Sequence, residues 1–186
     1  TNKERLILSK EKPWGLILFK RNIKTIIQTK YLIQEIKKLT KDKNFPILID
    51  EEGSTVSRLV NIINHNISAS YFGNLYSINN KLCVKIYKKY LNSLCKNLRN
   101  IGININTIPV LDILRKNTNK VIGVRSFSNK KEIVKKLGQI TVKECHINKI
   151  VAVIKHIPGH GCATLDSHLK MPKVRLNANH LNKNDF

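Results

Sequence analysis

Short apolar runs alternate along this chain with longer stretches in which apolar residues recur at helical spacing. Gly15-Leu16-Ile17-Leu18-Phe19 is a continuous apolar run of strand length, closed by Lys20-Arg21-Asn22. Such a run suits a strand buried on both faces, as in parallel sheets. Ile23, Ile26, Ile27, Ile33, Ile36 and Leu39 then recur near helical spacing, with Lys and Gln between them. Pro46-Ile47-Leu48-Ile49 predicts a second buried strand, ending in Asp50-Glu51-Glu52-Gly53. From Ile78 to Leu98 the spacing predicts a longer helix, with Leu82, Ile86, Tyr90, Leu91, Leu94 and Leu98 on its apolar face and Gly102 stopping it. A third strand lies within Ile103 to Ile113, where Pro109 predicts a bulge or an early end. A loop holding Ile122-Gly123-Val124-Arg125-Ser126-Phe127 follows. Asn129 then reads as an N-cap, with Glu132 in a capping-box position, for a helix carried by Ile133, Val134, Leu137, Ile140 and Val142. Ile150-Val151-Ala152-Val153-Ile154 is the fourth strand.

Alternation of this kind implies right-handed βαβ units and a parallel sheet, hence the α/β class. An open doubly wound sheet and a (β/α)8 TIM barrel both fit. No G-x-G-x-x-G follows the first strand, which weakens a dinucleotide-binding sheet. Polar groups stand where each strand ends: Lys20-Arg21, Asp50-Glu51, Asp112 and Lys155-His156. A ring of such ends is how a barrel builds a site.

Charge changes the picture less than its size suggests. Lys and Arg number 34 against 12 Asp and Glu, a net +22, which raises nucleic acid as a partner. The lysines, however, are spread over the polar faces of the helical stretches. Lys, Asn and Ile are all heavily used and all have A/T-rich codons, so base composition accounts for the set together. No basic motif carries interleaved aromatics. The expectation is a solvated surface and no nucleic-acid partner. No uncharged apolar run of about 18 residues occurs, so no membrane span is expected. Thr1 to Lys12 holds no signal-peptide core, and a chain opening on Thr is expected to start further upstream. Cys83, Cys95, Cys145 and Cys162 show no C-x-x-C pairing. Buried thiols in a reducing compartment, the cytoplasm, are expected.

Chemistry concentrates after the fourth strand. Lys155 and His156 end it, Pro158-Gly159 breaks it, and His160, Asp166 and His168 follow in a loop. The three histidines and Asp166 also read as a metal set. Pro158-Gly159 disfavours the helix that would bring His156 and His160 to one face, so no metal or other cofactor is expected. Three acids at a strand end in so basic a chain point to a site rather than a helix cap.

Six stretches in order carry a family resemblance: Gly15 to Asn22, Ile49 to Gly53, Ile108 to Asp112, Ile122 to Phe127, Lys155 to Gly161, and Asp166-Ser167-His168. Together they resemble the bacterial β-N-acetylhexosaminidases of glycoside hydrolase family three. The resemblance implies a TIM barrel and a retaining exo-glycosidase that removes N-acetylglucosamine from muropeptide fragments in cell-wall recycling. It implies that Asp50, Arg58, Arg125, Lys155 and His156 bind the sugar, that His168 is the general acid/base and that Asp166 is its partner. An imidazole with a reference pKa of about 6.5 can give and take a proton near neutrality. In extended backbone, residues i and i+2 point the same way, which places Asp166 to orient His168. Ser54 stands where the family has a second Gly, and Val124 where it has an acid. The family's nucleophilic Asp lies after a later strand, beyond Phe186. Residues 1–186 therefore read as one domain holding about four of the barrel's eight βα units. A half-barrel leaves open sheet edges, so self-association is a further expectation.

Overall fold

The computed structural model describes residues 1–181 apart from 12, 158, 167, 168, 170, 175 and 180. Four strands alternate with helices: α1 Asn2–Lys10, β1 Leu16–Leu18, α2 Ile26–Thr40, β2 Ile47–Ile49, α3 Ala69–Ile78, α4 Asn80–Ile101, β3 Ile105–Asn106, α5 Lys131–Ile147 and β4 Val151–Ala152. The strands pair in parallel, in the order β1-β2-β3-β4. Sheet order follows chain order, with no reversal of the kind that makes a doubly wound sheet. Steady progression is the geometry of a barrel wall.

One face of the sheet lies under the helices. Leu18, Ile47 and Ile49 pack in a core with Ile33 and Ile36 of α2 and with Leu91, Leu94, Leu98 and Ile101 of α4. Truncating a fully buried member such as Leu98 to Ala costs about 2–5 kcal/mol. The opposite face is one register row, Ile17, Leu48, Ile105 and Val151. At its edges Ile17 and Val151 remain 41% and 59% exposed. In a closed barrel that row is interior.

Helix ends follow local chemistry. Thr25 caps α2 and Ser68 caps α3, each side-chain oxygen accepting a backbone N–H. Gly102 ends α4 in a left-handed conformation, φ +99°, which glycine adopts without steric cost.

Several elements depart from the sequence reading. Helix α1 forms where none was expected, started by a capping box between Thr1 and Glu4. Helix α3 was likewise absent from the pattern. The buried stripe of α4 is Cys83, Tyr87, Leu91, Leu94, Cys95, Leu98 and Ile101, while Leu82 and Ile86 face outward. The N-cap of α5 is Lys130, not Asn129, and its side chain makes no capping bond. Strand β3 ends early, as Pro109 foretold, and Val110 makes a single parallel bridge to Lys155. All four cysteines are free, and Cys83, Cys95 and Cys145 are buried. Among the described residues no helix is long and apolar enough to cross a membrane.

Candidate active site

The strand ends converge on Asp50. It is the first residue past β2, and Thr107 is the first past β3. The buried Asn106 side chain ties the two strand ends together. Its amide oxygen accepts the Glu51 N–H (3.0 Å), and its NH2 donates to the Glu51 carbonyl (2.9 Å). Asp50 Oδ1 accepts from the Thr107 hydroxyl and, at 2.7 Å, from Lys155 Nζ. Arg58 reaches Asp50 Oδ2 at 3.4 Å. The Arg58 guanidinium also lies 5.8 Å above the Phe19 ring, a cation–π distance. Its Nε is buried and without a hydrogen-bond partner among the described residues.

Lys155 links this cluster to a second one. Its Nζ also lies 2.6 Å from Glu52 Oε1 and donates to Thr107 Oγ1 at 2.9 Å. Glu52 in turn holds Arg125 in a bidentate pair, Nε to Oε2 at 2.8 Å and an Nη to Oε1 at 2.9 Å. The same guanidinium donates to the Val121 carbonyl and approaches His156 Nε2 at 3.4 Å. His156 Nδ1 lies 2.5 Å from Asp112 Oδ2. Arginine can only donate, so His156 Nε2 accepts and Nδ1 carries the proton toward Asp112. The other Asp112 oxygen accepts the His160 N–H.

These contacts set the electrostatics. Burial alone would push the Asp50 carboxyl up. Hydrogen bonds from Lys155 and Thr107, with the charges of Lys155 and Arg58, outweigh it and hold Asp50 below its usual value. Burial would likewise lower the Arg125 guanidinium. The Glu52 pair, with Asp112 and Asp50 nearby, drives it up instead. At neutral pH the site therefore presents an ionised Asp50 and a charged Arg125. Such groups make strong, directional hydrogen bonds to hydroxyl and amide ligands.

Asp50, Arg58, Arg125, Lys155 and His156, chosen from the sequence, thus stand in one connected network. Asp166 is half-buried in the loop after β4, its carbonyl accepting the Leu169 N–H. His168 lies outside the described residues. Three members escaped the sequence reading. Glu52, to which the resemblance gave no role, bridges Lys155 and Arg125. Asp112 was noted only as a strand end, and Thr107 not at all. His160, read from the sequence as a structural residue hydrogen-bonded in the turn, is bonded there. The bond is made by its backbone N–H, while both ring nitrogens are buried without a partner among the described residues.

The model of the glycosyl hydrolase family 3 N-terminal domain matches residues 1–186. The chain belongs to this family. It is 33% identical to β-hexosaminidase A of Pseudoalteromonas piscicida, over 92% of this chain and 29% of that protein. It is 31% identical to a β-hexosaminidase of Thioalkalivibrio sulfidiphilus, over 94% of this chain and 50% of that one. Native NagZ from Neisseria gonorrhoeae superposes with a TM-score of 0.92 at 30% identity, over all of this chain and 54% of its own. The same enzyme in complex with N-trifluoroacetyl-D-glucosamine gives 0.90. The chain spans half or less of the length of these two curated relatives, and its parallel sheet is part of a family 3 TIM-type barrel.

Proposed function

We propose that this family 3 domain binds a terminal β-linked N-acetylglucosamine residue and contributes the proton-transferring arm for its hydrolysis. The observation that carries the reading is Arg58. Its Nε–H is buried beside Asp50 with no acceptor in the described chain. An unpaired buried donor costs about 1–3 kcal/mol, and a small turn of the guanidinium, whose side chain is 27% exposed, would offer that N–H to a ligand oxygen. Asp50 then accepts from sugar hydroxyls, while Arg58, Lys155 and Arg125 donate. His156, held by Asp112, stands beside Arg125 in the same network. The β-hexosaminidase relatives, and a sugar-analogue complex of a close structural neighbour, support the choice of an N-acetylated sugar.

The family resemblance assigns proton transfer to His168, oriented by Asp166. In a retaining hydrolysis the acid protonates the leaving oxygen as a carboxylate bonds the anomeric carbon; the conjugate base then deprotonates the attacking water. The nucleophilic carboxylate belongs, by that resemblance, to the part of the relatives that these residues do not match. Muropeptide fragments of cell-wall turnover are the natural substrate on this reading. The free buried thiols suit a cytoplasmic setting. The exposed apolar edge at Ile17 and Val151 supports self-association of residues 1–186.

The test pairs binding with turnover. Residues 1–186 should bind N-acetylglucosamine without cleaving a chromogenic N-acetyl-β-glucosaminide. Turnover by these residues alone would overturn the assignment of the nucleophile, and absence of binding would overturn the site.

A further inference from the structure

Behind the Asp50 network lies a buried carboxylate that touches the site through backbone alone. Glu51 sits between Asp50 and Glu52 in sequence, yet its side chain is fully buried. Its Oε2 accepts two backbone N–H groups, from Arg58 at 2.7 Å and from Leu59 at 2.9 Å. Its Oε1 lies 2.8 Å from His65 Nε2. Neither of these two atoms has a hydrogen-bond partner among the described residues. His65 Nδ1 lies 3.2 Å from the Tyr90 hydroxyl on α4. Burial, reinforced by the Glu51 charge, raises Tyr90, so the phenol stays protonated and shares a hydrogen with Nδ1.

Glu51 therefore closes the segment from β2 to Arg58 as a loop and anchors it to α4 through His65 and Tyr90. A buried carboxylate bonded to two N–H groups is costly to move, because each donor left bare pays its desolvation. Among the described residues the Arg58 backbone makes no other such bond, and the guanidinium that pairs with Asp50 hangs from it. We propose that Glu51 is a positioning residue, which through the Arg58 and Leu59 N–H groups, and backed by His65, sets where Arg58 presents its guanidinium to Asp50 and to the ligand. This rests on the sugar-binding reading above for its consequence, though not for its geometry.

Two readouts on residues 1–186 separate the layers. The first is the Arg58 Nε–H cross-peak without sugar; the second is N-acetylglucosamine affinity. Glu51→Ala should move or broaden the Arg58 peak, leave the Arg125 peak in place, and weaken affinity on the order of tenfold, as loss of orientation does. Glu51→Gln keeps an oxygen for both N–H groups and should restore both readouts. An unmoved Arg58 peak in Glu51→Ala overturns the proposal, as does a Gln variant as impaired as Ala. Should Glu51→Ala fail to fold, His65→Phe is read the same way: a shifted Arg58 peak supports the proposal, an unshifted one overturns it. If the unmutated chain binds no sugar, the sugar reading fails while the Arg58 peak still decides this one.

Discussion

His156 meets the buried Asp112 carboxylate through Nδ1 at 2.5 Å, leaving Nε2 to accept from Arg125. The carboxylate thus chooses the tautomer. Asp112→Asn would present an NH2 to Nδ1 and force the proton to Nε2, setting donor against donor at Arg125. Imidazole 15N shifts should report an Nδ1–H form in the unmutated chain and its loss in the variant. An unchanged tautomer would contradict the network.

Asp50 links the site to acid stability. Its carboxyl is held below the ordinary 3.8 in the folded chain. A depressed folded value means that the unfolded chain takes up the proton first. The stabilisation is therefore present above about pH 4 and is lost as pH falls through the folded value. Melting curves from pH 5 to 2 should show the unmutated chain losing its advantage over Asp50→Asn as pH drops. Parallel curves would remove Asp50 from the account.

Helix α3, unforeseen in the pattern, buttresses the loop that carries Arg125. A Cβ at Gly73 would sit 1.6 Å from the Phe127 carbonyl oxygen, two residues past Arg125. Gly73→Ala must push helix and loop apart, at a cost of about 1–3 kcal/mol. The expected result is a lower melting temperature with a shifted Arg125 Nε–H peak. A melting temperature equal to that of the unmutated chain would refute the close approach.

The apolar sheet face yields a prediction about assembly. With Val151 on the edge strand β4 and Ile17 on the edge strand β1, sedimentation of residues 1–186 should show concentration-dependent self-association. Val151→Lys should shift it toward monomer. A monomer at all concentrations would show that this face is tolerated bare.

What could be read from the sequence divides along physical lines. Strands β1, β2 and β4 are short apolar runs whose burial needs no partner to be recognised, and the early end of β3 follows from one missing N–H at Pro109. Helix α1 depends on a single reciprocal cap at Thr1 and Glu4 in an otherwise polar stretch. Helix α3 carries Gly73, Asn74 and two serines, so its residues signal turn as readily as helix. On α4 the buried Leu91, Leu94 and Leu98 were legible, while Leu82 and Ile86 stood in for Cys83, Tyr87 and Cys95, which count little in a pattern of Leu and Ile. Asp50, Arg58, Arg125, Lys155 and His156 were found through motif resemblance. The role of Glu52 was hidden, because its Arg125 partner is 73 residues away. Asp112 lay hidden for the same reason, 44 residues from His156.

The central claim, that the strand-end network around Asp50 is a sugar site, is met most directly by titrating residues 1–186 with N-acetylglucosamine while following the Arg58 Nε–H cross-peak, for the unmutated chain and for Asp50→Ala. The account predicts a saturable shift of that peak in the first, and its loss, with affinity weakened at least on the order of tenfold, in the second. A peak unmoved by the sugar, or equal affinity in both proteins, would contradict it.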